Sequence, residues 1–199
     1  ERLCDYAQKH IFDVLSLRHT TYFPLYGEAP SHPDWETLAR LCAPTEQQKD
    51  GHVLQAEVHD PIARLANAGN SGNAGLFSNV EDLAVIAACL LNGGTWGGKR
   101  ILAPLTVQQM FRVPETNAPE VARALGWDTY YTGPYTSGCI FNPRTVRGHT
   151  GYTGPSIILD LETSTAVIIL AHRVHPTDKG GTGKLRARIA NIVAGSIEK

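Results

Sequence analysis

Apolar residues recur along this chain at two spacings, one helical and one extended, and the switch between them falls roughly two-thirds of the way along. Leu3, Ala7, Ile11, Phe12 and Leu15 stand at helical spacing and predict an amphipathic helix that stops near Leu17. Trp35, Leu38 and Leu41 predict a short helix that Asp34 can cap and that ends before Pro44. Pro24 to Pro33 ahead of it reads as loop. Asp50-Gly51 reads as a turn, His52 to Val58 as a short extended piece, and Asp60-Pro61 as the start of a helix over Ile62 to Ala68. Ser78 and Glu81 form a capping box for a helix whose apolar face is Leu83, Ile86, Ala87, Leu90 and Leu91, and which stops at Gly93-Gly94. A hairpin-like segment from Thr95 to Leu102 follows, Pro104 opens a helix to about Phe111, and a proline-rich connection runs to Pro119.

After Leu125-Gly126-Trp127 the pattern turns to strand, through Tyr135 and then a glycine-led strand over Val146 to Thr150. Two wholly apolar runs, Ser156 to Leu161 and Ala166 to Ala171, are separated by Glu162-Thr163-Ser164 and predict an antiparallel hairpin. The last segment, Lys184 to Ile197, is a helix with Leu185, Ile189, Ile192 and Val193 on one face. The fold class is therefore α+β: a mainly helical region over 1–130, then three antiparallel strands and a C-terminal helix over 131–199, forming one domain. A strand apolar on both faces wants cover on both, and its outer edge finds no further partner in this sequence. The expectation is an incomplete domain whose remaining strands lie outside these residues.

Composition narrows the partners. With 18 Lys and Arg against 19 Asp and Glu in 199 residues, and no dense basic run, a nucleic-acid or anionic-membrane partner is not expected. No apolar run approaches the roughly 20 residues of a bilayer span. Small molecules or peptides are the expected partners. The chain opens at Glu1 with neither an initiator methionine nor a signal core, which reads as part of a longer chain. Cys4, Cys42, Cys89 and Cys139 are too scattered for a zinc ribbon or a thioredoxin motif, and no metal or cofactor is expected. Cys89, inside an apolar helix, reads as a small core residue.

Several short motifs follow one another in a telling order. Ile11-Phe12 with Leu15-Ser16-Leu17 and Thr20 is similar to the segment "IF-PLGM--T", and Ala43-Pro44-Thr45-Glu46 to the loop "APTE". Val58-His59-Asp60, then Gly72-Asn73-Ala74-Gly75-Leu76-Phe77-Ser78 with Glu81-Asp82-Leu83, and finally Gly148-His149-Thr150-Gly151 with Gly154 complete the series. In this order the chain resembles the serine β-lactamase and penicillin-binding-protein superfamily, in its class C-related, esterase-like branch. The resemblance implies the C-terminal portion of a transpeptidase-like fold, with the N-terminal strands and nucleophile helix elsewhere. It also implies serine hydrolase chemistry on an ester, D-Ala peptide or β-lactam, through an acyl-enzyme that water resolves, and a periplasmic or secreted location.

Of that family's three catalytic elements, only the third is plain here. Ser196-Ile197-Glu198-Lys199 matches Ser-x-x-Lys in letters but falls at the end of the last helix and reads as coincidence. Tyr6-Ala7-Gln8 approximates Tyr-x-Asn inside a helix, and Ser71-Gly72-Asn73 matches Ser-x-Asn within a glycine loop. The resemblance therefore assigns His149, Thr150, Gly151 and Asn73 to substrate binding and the Tyr152 backbone N–H to an oxyanion hole. The nucleophile, its lysine and the tyrosine would come from the N-terminal portion of the same protein. The other reading is a non-catalytic binding module or inactive homologue. Histidine where many members carry lysine is mostly neutral at pH 7, which favours substrates without an obligatory carboxylate. His149 could also merely pack at the strand edge. His172-Arg173-Val174-His175 has metal-site letters, but at a strand end its histidines face opposite ways. Gly180 to Lys184 lacks phosphate-loop spacing and reads as a linker. His59-Asp60 is an acid–base pair or a helix cap beside a loop histidine, and Trp127 and Tyr131 are cleft walls or core.

Overall fold

The computed structural model describes residues 1–25, 34–115, 123–129 and 134–198. The chain forms two compact units: Glu1–Leu83 with His172–Gly180, and Ala84–Ala171 with Gly181–Lys199.

In the first unit, α1 (Leu3–Ala7), a π-helical turn (Gln8–Phe12) and α2 (Asp13–Leu15) make one continuous rod. It ends at Ser16, which adopts the left-handed conformation at φ 58°. A two-stranded ladder, β1 (Thr21–Tyr22) with β2 (Leu76–Phe77), crosses the unit. Phe23 stacks on Trp35 and meets Phe77 edge-on, fixing α3 (Trp35–Leu41). Asp34 was expected to cap α3, but its side chain makes no capping bond. His52 to Val58 forms a single bridge, Gln47 with Val53, rather than a strand. Asp60 accepts the Ala63 N–H at 2.7 Å and so starts the π-helical turn Ile62–Ala66, as a cap should.

The chain leaves this unit within α4 (Val80–Leu91). Its cap is Asn79, whose Oδ1 accepts the Asp82 N–H at 2.9 Å. Ser78, expected in that role, is 2.8 Å from the Thr20 hydroxyl instead. Asp82, buried, accepts both the His19 N–H and the Thr20 hydroxyl, so the charge that the helix N-terminus favours also fastens the preceding loop.

The second unit is built on the sheet β5 (Val146–Thr150), β6 (Ser156–Asp160) and β7 (Thr165–Ile169), in that order and antiparallel throughout. One face carries Val146, Ile158 and Val167 against Phe141 and Ala190, with Ile189 and Val193 of α7 (Gly183–Gly195) packed beside them. The other carries Leu159, with Ile157 and Ile168 alongside, against Ala87 and Leu90 of α4 and Val107 and Phe111 of α5 (Pro104–Phe111). Cover on both faces explains why the hairpin strands read as unbroken apolar runs rather than alternating ones. Asp160, 1% exposed, closes the β6–β7 turn by accepting from the Thr145 and Thr163 hydroxyls and the Thr163 N–H.

Two expectations shift here. The buried stripe of α7 runs through Arg186 and Ala190, while Leu185 and Ile192 stay exposed. The strand expected through Tyr135 gives way to a short helix, α6 (Pro134–Ser137), after bridges at Trp127 and Asp128. A hairpin, β3 (Thr95–Trp96) with β4 (Lys99–Arg100), links α4 to α5 as predicted. Among the described residues no helix is long and apolar enough to cross a membrane.

Candidate functional site

Alternation along β5 decides what each residue can reach. Val146, Gly148 and Thr150 lie on the α7 face of the sheet, and Arg147 and His149 on the α5 face. Arg147 is 6% exposed. It donates from Nε to the Phe111 carbonyl and from one terminal nitrogen to the Arg144 and Val146 carbonyls. Burial lowers its guanidinium pKa. The motif strand is thereby moored to the end of α5.

The backbone alternates too. Gly148 and Asp128 form an antiparallel bridge, so the Gly148 N–H and carbonyl point away from β6. Gly148 and Ile158 are then a non-hydrogen-bonded pair, His149 and Ile157 a bonded one, and Thr150 and Ser156 non-bonded again. Thr150 thus presents its N–H and carbonyl on the outer edge. Gly151 turns inward, its N–H donating to the Pro155 carbonyl at 2.9 Å. The Gly151 carbonyl accepts from the Gly154 N–H, so across their shared trans peptide the Tyr152 N–H points the opposite way.

Beyond Thr150 the chain makes a tight turn from Gly151 to Gly154, closed by the Gly154 N–H on the Gly151 carbonyl at 3.1 Å. Both glycines are required. A Cβ at 151 would stand 3.0 Å from the Pro155 ring, and Gly154 has φ +135°. The Tyr152 side chain is 66% exposed at the turn.

His149 is exposed, and its Nδ1 lies 3.0 Å from the Thr150 carbonyl. A carbonyl only accepts, so Nδ1 carries the proton, and in the neutral ring Nε2 is an acceptor. Beside the strand, a cavity of about 10 Å³ is lined by Asp128, Thr129, Thr136, Ser137, Val146, Gly148 and Ile158. That volume admits a single water, against the hundreds of Å³ of a ligand pocket.

The remaining candidates make the following contacts. Asn73, exposed in the first unit, accepts from the Ser71 hydroxyl through Oδ1 at 2.6 Å, and Ser71 in turn accepts from Asn67. The Ser196 hydroxyl donates to the Ile192 carbonyl of its own helix at 2.7 Å; Lys199 lies outside the described residues. Tyr6 stacks on His10. His59 pairs with Glu46 through Nε2, and Asp60 caps its turn. His175 donates from Nδ1 to the Thr45 carbonyl at 2.8 Å. Partial burial, then His175 and His59, hold the His172 pKa below the usual imidazole range. Among the described residues no cluster of His, Cys, Asp or Glu could hold a metal. Trp127 packs against Phe111 in the core; Tyr131 lies outside the described residues. The sequence reading missed Asp128, which occupies the Gly148 edge, and Arg186, a cation on the buried stripe of α7.

Comparison with known proteins bears on this geometry. Residues 1–191 match the family described as Beta-lactamase. A protein of Salmonella enteritidis named "Putative D-alanyl-D-alanine carboxypeptidase" is 33% identical over 186 residues, covering 85% of this chain and 40% of that protein. A solved penicillin-binding-protein homologue from Caulobacter crescentus superposes at TM-score 0.64 with 14% identity, over 98% of this chain and 52% of that one. EstCE1, described as a hydrolase with promiscuous acyltransferase activity, superposes at 0.59 with 18% identity, over 94% of this chain and 49% of its own. The chain thus spans about 40% of the length of the curated relative and about half of each solved structure.

Proposed function

Because this chain belongs to the beta-lactamase family, a family of serine hydrolases, we propose that it is the substrate-binding portion of an acyl-transfer enzyme. It offers an open strand edge and a backbone oxyanion donor to a serine supplied by sequence outside residues 1–199. The observation that carries this reading is the run from Thr150 to Tyr152. Thr150 presents its backbone on the outer edge of β5, the turn behind it is pinned by Gly151 and Gly154, and the Tyr152 N–H points opposite to the Gly151 carbonyl that the Gly154 N–H holds. A substrate carbonyl laid along that edge would meet the Tyr152 N–H as it becomes tetrahedral, and such a donor contributes about 3 kcal/mol to lowering the barrier. His149 and Thr150 would hold the substrate beside it, and Gly151, where a side chain would press on Pro155, would keep the turn tight behind it.

The attacking group is looked for elsewhere because Ser-x-x-Lys occurs in this sequence only at Ser196, whose hydroxyl is bonded within its own helix. The substrate class is an ester, a D-Ala peptide or a β-lactam, in keeping with the name of the Salmonella relative and with a periplasmic or secreted location. The test is covalent labelling. The 199-residue chain and the full-length product of its gene are each treated with a fluorophosphonate and a fluorescent penicillin. Label on the longer form alone is the expected result. Label on the 199-residue chain, or on neither form, refutes the proposal.

A further inference from the structure

Arg186 lies in the first turns of α7, 6% exposed, and its guanidinium reaches the turn behind β5. Nε donates to the Gly154 carbonyl at 3.2 Å. One terminal nitrogen is shared among the carbonyls of Gly154 at 2.7 Å, Pro155 at 3.0 Å and Gly151 at 3.2 Å. The Thr182 hydroxyl adds a bond to the Gly154 carbonyl at 3.3 Å. Three carbonyls of one turn, those of Gly151, Gly154 and Pro155, thus converge on one buried cation.

We propose that Arg186 is a positioning residue that aims and strengthens the Tyr152 N–H through the Gly151 carbonyl, a role that rests on the acyl-transfer reading above. The Gly151 carbonyl and the Tyr152 N–H belong to the same peptide unit, and the one cis bond among the described residues is His175-Pro176. In a planar trans peptide these two groups point in opposite directions, so a hand on the carbonyl sets the direction of the N–H. Glycine on the preceding side gives this peptide little steric resistance to rotation. The tether is what holds it: the Gly151 carbonyl accepts from both the Gly154 N–H and Arg186, on the side away from the outer edge.

The same bond acts electronically. A cationic donor on an amide oxygen draws electron density from the unit and makes its N–H a better donor, as hydrogen bonds in a chain polarise one another. A buried guanidinium is also costly to leave unsatisfied, so the turn cannot drift off Arg186 without exposing that cost. Position and charge therefore act together on the one N–H where an oxyanion would form.

The test uses the full-length protein with Arg186→Met and Arg186→Lys. Arg186→Met is expected to lower the maximal acylation rate by fluorescent penicillin and by a p-nitrophenyl ester about 100-fold, as the loss of an oxyanion donor does, with the half-saturating concentration nearly unchanged. Arg186→Lys should recover about tenfold of that, because an ammonium can still reach one carbonyl. Amide hydrogen exchange at Tyr152 and Thr153 should quicken in the Met variant and less in the Lys variant. If Arg186→Met does not fold, the Lys variant carries the test, with about a tenfold slower rate at unchanged half-saturation. Exchange unchanged at the turn, or quickened exchange with an unchanged acylation rate, or a defect wholly in half-saturation, each overturns the proposal while leaving the acyl-transfer reading standing. A wild type that accepts neither probe overturns both, and is recognised without any variant.

Discussion

The Arg147 guanidinium donates to the Phe111 carbonyl across 2.8 Å, tying the strand that carries His-Thr-Gly to the last residue of α5. Helices leave their final carbonyls without intrahelical partners, and a cation there also meets the negative end of the helix dipole. Arg147 is buried, so no water replaces it readily. Arg147→Met is expected to lower the stability of the protein by about 1–3 kcal/mol, the usual cost of orphaning buried hydrogen-bonding groups. Urea denaturation followed by circular dichroism measures it, and an unchanged midpoint would show that the mooring contributes nothing. Arg147→Lys, which can keep one of the three bonds, should fall between.

Alternation along β5 makes a prediction about exchange. The Gly148 N–H is held by the Asp128 carbonyl at 3.1 Å, and Asp128 returns its own N–H to the Gly148 carbonyl at 2.7 Å. Thr150, two residues on, has the same outward orientation, with no backbone partner on that edge among the described residues. Amide exchange followed by NMR should therefore be slower at Gly148 than at Thr150 in the free protein. A bound substrate or inhibitor that adds along the strand should slow Thr150 and leave Gly148 where it was. Equal protection at both positions would place the free edge elsewhere.

The four cysteines should separate cleanly under alkylation. Burial pushes the Cys42 thiol up to about 11, and its Sγ donates to the Leu38 carbonyl. A raised thiol pKa means less thiolate at any lower pH, and at pH 8 about one part in a thousand. Cys4 and Cys89 are 1% and 0% exposed, and burial raises both of their thiol pKa values. Cys139 is exposed at the start of the loop that Asn191 of α7 holds. Iodoacetamide at pH 8 followed by mass spectrometry should modify Cys139 first, with Cys42 gaining on it as the pH rises toward 11. Rapid modification of Cys89 in the folded protein would contradict the packing of α4.

The helical spans and the hairpin were legible because periodicity reports burial directly: Leu83 to Leu91, Pro104 to Phe111 and the two apolar runs form the elements their spacing predicts. What failed was chemistry that depends on a distant partner. Ser78 has the letters of a cap but is drawn to Thr20, 58 positions away, and Asn79 caps in its place. The apolar face assigned to α7 was rotated because Arg186 breaks the apolar stripe, and only the carbonyls of a turn more than 30 positions back explain a buried cation there. Asp128 gave no sign of its role, since backbone pairing carries no side-chain signature. Within the His-Thr-Gly stretch, the edge at Gly148 is taken up by Asp128, which the glycine-led pattern did not foretell.

The last prediction concerns His149. Its Nδ1–H is committed to the Thr150 carbonyl, so the neutral ring offers its neighbours an acceptor at Nε2 and no fixed positive charge. A substrate carboxylate would meet a lysine at this position as a cation, whereas the neutral imidazole offers it only an acceptor. One consequence follows for the full-length protein. In His149→Lys the kcat/KM ratio of a carboxylate-bearing ester to its uncharged methyl counterpart should be raised at pH 8 by about 2- to 5-fold over the wild type. The size follows from an exposed ion pair, which is worth about 1 kcal/mol at most and is screened by salt; raising the ionic strength should accordingly shrink the gain. No response of the ratio to His149→Lys would mean that position 149 does not face the substrate and that the imidazole serves only to brace the Thr150 carbonyl.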